Sequence, residues 1–112
     1  MKRASFILAA ALLTGTANAQ SDQSFRTLGP GAGASCGRWL QDRRSGREAG
    51  MTVWALGFLS AVAIYHERDI LRDIDADGIR QWLDNYCRED PLRPFAQGLQ
   101  VLADNRLRQS GR

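Results

Sequence analysis

Residues 51–65 read MTVWALGFLSAVAIY, a run without a single formal charge. Met51, Trp54, Ala55, Phe58, Leu59, Val62 and Ala63 recur at intervals of three and four, the spacing that puts side chains on one side of an α-helix. Most remaining positions are apolar or small as well. The segment therefore predicts a central helix that is buried on most sides, or buries one face in its own chain and another against a second copy. On the second reading, an intermolecular contact takes some of Val53, Trp54, Phe58, Leu59 and Ile64. Fifteen residues fall short of the roughly 20 that span a bilayer, so no stable membrane anchor is expected here. Gly57 and Ala61, four apart, are tolerated small residues or a point of close approach for a partner helix.

Outward from this run, the helical pattern extends over 48–72 as one long helix. On the N-terminal side, Ser35 is placed to cap a first helix that carries Cys36, Trp39 and Leu40 at i, i+3 and i+4. Arg43-Arg44-Ser45-Gly46-Arg47 forms a polar break after it. On the C-terminal side, Asp75-Ala76-Asp77-Gly78 interrupts the pattern. A third helix is expected over 79–88, with Ile79, Trp82, Leu83 and Tyr86 inward and Cys87 beside them. Pro91 stops it or opens the next one. A last helix is expected over 92–108 with the apolar stripe Phe95, Leu99, Leu102 and Leu107, weakened slightly by Gly98. No alternating apolar and polar run calls for a strand. The expected fold class is all-α: a small single-domain bundle of about four helices over residues 35–109, preceded by a polar, glycine-rich flexible lead-in over 20–34.

The first residues have a different character. Lys2 and Arg3 precede the short apolar run Phe6–Leu13, and Ala17-Asn18-Ala19 places small residues where a signal peptidase cuts. Residues 1–19 are read as a signal peptide and the protein as exported to the periplasm. The only two cysteines, Cys36 and Cys87, then mature in an oxidising compartment and are expected to pair, linking the first and third helices. Closing a loop of about 50 residues contributes about 4 kcal/mol in the chain-entropy model.

Removal of the leader also takes away Lys2 and Arg3. That lowers the net charge from +3 to +1, with 13 arginines against 12 carboxylates. No concentrated basic face remains to suggest a nucleic-acid partner.

Few residues point to chemistry. Asp73, Asp75, Asp77 and Asp84, with Gly78 at the bend, follow the spacing of a calcium-binding EF-hand loop. Arg80 departs from that pattern at the apolar position, Asp84 is shorter than the usual closing Glu, and no sister loop exists. The competing reading is that Asp75 or Asp77 caps the third helix. His66 is the only histidine, lacks a second ligand at zinc-protease spacing, and suits a helix end. No serine sits in a nucleophile elbow and no carboxylate pair stands out, so no catalytic residue, enzyme activity or cofactor is expected. Trp39, Trp54 and Trp82, one per helix, are read as core and interface packing, with an aromatic ligand pocket between helices as the alternative.

Three stretches carry a family resemblance: Ser35-Cys36-Gly37-Arg38-Trp39-Leu40, Trp54-Ala55-Leu56-Gly57-Phe58-Leu59, and Trp82 through Cys87 to Pro91. Together they resemble the HdeA/HdeB-like periplasmic acid-stress chaperones over residues 35–103. The resemblance implies a small all-α protein with one disulfide. It would be a homodimer at neutral pH that loosens in acid and exposes apolar helix surface to unfolded periplasmic clients. The same pattern looks like the Rap/Tai immunity proteins of type VI secretion, in which a dimer blocks a secreted cell-wall amidase. Members of that group often carry further cysteines that are absent here. A calcium-binding module is the third alternative. Acid titration suits the first reading, because twelve carboxylates neutralise between about pH 5 and pH 2 while arginines stay charged.

Overall fold

The computed structural model describes residues 25–111, so the expected signal peptide 1–19 and the first residues of the lead-in lie outside the described residues. Four helices follow in order: α1 Cys36–Ser45, α2 Ala49–His66, α3 Ala76–Glu89 and α4 Phe95–Gln109. Among the described residues there is no strand, only an isolated antiparallel pairing of Ser35 with Pro94. The fold is the expected all-α bundle, and the Cys36–Cys87 disulfide links α1 to α3 with Cα atoms 4.8 Å apart. Both cysteines are fully buried in one core with Trp39, Leu59, Ile70, Leu83, Phe95 and Leu99. Helix α1 packs on α3, α2 on α4, and α3 touches all three others.

The helix ends show which forces prevail locally. Ser35 caps α1 as expected, its Oγ accepting the Arg38 N–H at 3.1 Å. The polar break comes later than the sequence suggests. Arg43, Arg44 and Ser45 are helical, and the chain turns at left-handed Gly46. The long helix expected over 48–72 is shorter: α2 ends at His66, and Glu67 takes a left-handed φ of 52°. The apolar pattern misleads here because Ile70 is itself a core residue, 1 % exposed, reached by a turn rather than by more helix. Arg106 on α4 stabilises that turn by donating from Nε to the Ile70 carbonyl at 2.7 Å and from its terminal nitrogen to the Arg72 carbonyl.

Helix α3 begins three residues earlier than expected, because Asp75 caps it. Its Oδ1 accepts the Gly78 N–H at 2.7 Å. Helix α4 begins three residues later than expected. Pro91 and Pro94 disfavour helical backbone at the residue before each, and Asp90 is indeed extended. Leu92 is left exposed, and the Phe95 and Cys36 N–H groups bond instead to the Ala34 and Arg93 carbonyls. Gly98 is more than a tolerated weak point. A Cβ there would lie 2.8 Å from Cδ1 of Tyr86, so the missing side chain sets how closely α3 and α4 approach.

Candidate interaction surface and its buried anchor

Helix α2 contains no Asp, Glu, Lys or Arg in its 18 residues. It is long and apolar enough to cross a membrane by length and composition, unlike the fifteen-residue run read from sequence, yet only 22 % of it is buried. Met51, Thr52, Ala55 and Leu59 form its buried edge. On the opposite side Val53 is 69 % exposed, Ile64 78 % and Tyr65 84 %. Gly57 and Ala61 lie between them, also exposed, and the space over Gly57 is open. A helix face turned to water ordinarily carries charge. An uncharged apolar stripe with small residues at its centre is a surface suited to another apolar element.

The five residues expected at an intermolecular contact separate into three environments. Val53 and Ile64 are open. Trp54 and Phe58 are half-buried neighbours, their rings 5.9 Å apart, and Trp54 also reaches Phe95 at 6.4 Å. Leu59 is 1 % exposed and belongs to the core, because it shares the edge of α2 formed by Met51 and Ala55. Tyr65 joins the exposed stripe, and periodicity alone does not single it out, since every face of α2 reads as apolar. The other unforeseen contact is at Trp54, whose indole N–H donates to the Leu28 carbonyl of the lead-in at 2.8 Å.

A separate polar cluster holds α1 against α3. Asp84, 7 % exposed, accepts the Trp39 indole N–H at 2.8 Å. It also accepts from Arg43, at 3.1 Å from Nε and 2.9 Å from a terminal nitrogen. Arg43 donates further to Glu48 at 3.3 Å. Hydrogen bonding to Asp84 raises the Arg43 guanidinium above its ordinary value, desolvation opposes this, and the charges of Asp84 and Glu48 add to it. Beside the cluster, Arg38 pairs with Asp42 at 2.9 Å.

The four carboxylates at calcium spacing do not come together. Asp75 is occupied as the α3 cap, Asp77 pairs with Arg80, and Asp84 turns to α1. No group of three or more potential metal ligands occurs among the described residues. His66 sits in the last turn of α2, edge-on to Tyr65 at 5.2 Å. Of the three tryptophans, Trp39 stacks on Phe95 in the core at 5.1 Å and Trp82 stacks on Tyr86 at 5.5 Å. Arg93 lies over that tyrosine at 4.2 Å.

Comparison with protein-family models, with curated proteins and with solved structures gives no match for this chain. The fold and the disulfide define it as a small disulfide-braced all-α protein, of a kind that matures in an oxidising compartment.

Proposed function

We propose that this chain is an exported, non-enzymatic stress protein of the HdeA/HdeB type. It would use the exposed face of α2 against a second copy at neutral pH and against unfolded clients in acid. The observation that carries the reading is the uncharged stripe of Val53, Gly57, Ala61, Ile64 and Tyr65 on an otherwise well-packed disulfide-bonded bundle. A surface of that chemistry gains from covering apolar area whatever the partner's sequence, which suits many clients better than one substrate.

Acid supplies the trigger. As the carboxylates neutralise between about pH 5 and pH 2, the net charge climbs to about +13, and like-charged subunits repel. The disulfide limits how far the opened chain can unfold. The test is client aggregation followed by light scattering with the mature protein from pH 2 to pH 5. Suppression at stoichiometric protein is the expected result. Unchanged scattering across that whole range overturns the reading.

A further inference from the structure

The lead-in clasps Trp54. Besides the hydrogen bond from the indole to the Leu28 carbonyl, Gly29 and Gly31 lie directly against the ring. A Cβ at Gly29 would be 2.5 Å from Cδ1 of Trp54, and one at Gly31 would be 2.2 Å from Cε3. Gly29 also has φ +118°, which disfavours any side chain. A turn closed by the Ala32 N–H on the Gly29 carbonyl at 3.0 Å carries Pro30, which rests against Gly50.

Beyond the turn the chain is fixed, because the Ala34 carbonyl accepts the Phe95 N–H at 2.9 Å. Before it, Phe25 and Leu28 are 79 % and 77 % exposed, so their side chains do not anchor it. The strap is a short peptide tethered at Ala34, held by one indole hydrogen bond and by backbone lying on an aromatic face.

The contact sets aromatic ring against backbone, with an edge N–H bonded to a carbonyl, and what it holds is a glycine-proline turn. We propose that the Trp54 face of α2, with Phe58 beside it, is a recognition site for a Gly-Pro-Gly turn, which residues 28–32 present in cis and which a peptide carrying the same turn occupies in trans. The observation behind the choice of ligand is the one seated there already, Leu28-Gly29-Pro30-Gly31. The tether sets a threshold. An intramolecular segment on a short flexible linker competes at an effective concentration of the order of millimolar. A trans segment prevails when it brings further contacts, and the open stripe of Val53, Gly57 and Ile64 on the same helix offers them. This site does not depend on acid-induced client binding. Strap opening is read at one indole and client holding by scattering, so either proposal can fail alone.

The experiment follows the Trp54 indole N–H of the mature chain by nitrogen-15 NMR, assigned with Trp54→Phe. In the wild type, a detachable strap makes this proton exchange roughly a hundredfold faster than that of Trp39, which is buried on Asp84 and released only by global opening. Equal rates would overturn the proposal. In Gly31→Val, where the added side chain meets the ring, the Trp54 proton loses its protection while Gly33→Val, which points into open space, behaves as wild type.

A synthetic peptide of residues 27–34 at about 1 mM then restores the protection in Gly31→Val, and needs roughly tenfold more to perturb the wild type. A strap that stays closed in Gly31→Val, or an open Trp54 that ignores the peptide, overturns it. Should Gly31→Val fail to fold, the strap is part of the core and the proposal falls, a result the wild-type exchange rates check independently.

Discussion

Asp84 illustrates how one side chain can serve two helices. It ends the indole N–H of buried Trp39 and neutralises Arg43, so α3 is bonded to α1 a few residues from the disulfide that also joins them. Asp84→Asn keeps an acceptor for Trp39 and removes the charge facing Arg43. Breaking a largely buried pair in this way is expected to cost about 3 kcal/mol, measurable by urea unfolding. The pH dependence of this pair has a definite sign. The raised Arg43 contributes its stability at every pH below its unfolded value and loses it only in strong alkali, beyond the working range. Asp75→Ala removes the α3 cap and is expected to cost about 1 kcal/mol. Calorimetric titration of the protein with calcium should be flat, since Asp75, Asp77 and Asp84 are already engaged in a cap and in ion pairs and the carboxylates at calcium spacing do not gather into a ligand group among the described residues. The cap was legible in the sequence because it links residues three apart. The Asp84 bonds were not, because Trp39 lies 45 positions away and no local pattern marks an acceptor for its indole.

At the level of the helix, α2 carries the functional expectation. Val53→Asp and, separately, Ile64→Asp place a charge on the exposed stripe, where a surface change should alter folding by less than about 0.5 kcal/mol. Each variant should remain helical by circular dichroism, sediment as a monomer at neutral pH and hold client less well in acid. A wild-type protein already monomeric at tens of micromolar removes the second copy from the scheme, and with it the dissociation step. The far end of α2 depends on α4. Arg106→Met deletes both guanidinium bonds to the turn carbonyls of Ile70 and Arg72, with an expected loss of about 2 kcal/mol and faster amide exchange over residues 67–75. Periodicity carried the helix past this turn because Ile70, Leu71 and Ile74 remain apolar at near-helical spacing.

For the molecule as a whole, the covalent brace matters most. A helical domain of this size has little core to spare, and the disulfide restrains the unfolded state over most of it. Cys36→Ser with Cys87→Ser should lower stability by about 4 kcal/mol and the melting temperature by roughly 15 °C or more. Thiol titration of the unfolded, unreduced wild type should find no reactive thiol. The same double variant tests how acid opening is bounded. In the proposed scheme, the bridged protein keeps helical content at pH 2 while the unbridged one unfolds and precipitates with its clients.

The sequence by itself determined the number and kind of elements, the cap at Ser35, the acidic cap before α3 and the pairing of the only two cysteines. These follow from side-chain period, from bonds spanning three or four residues, and from the absence of any other thiol. Tertiary structure alone decided where α2 stops, which of its apolar sides meets water, that Leu59 is core while Tyr65 is open, and that Gly29 and Gly31 serve the ring of Trp54. A helix apolar on every side has no phase in its sequence from which to read an inside. Its orientation is settled by which neighbours it meets, and those neighbours, Phe95 and Leu28 among them, arrive from chain segments far away in sequence.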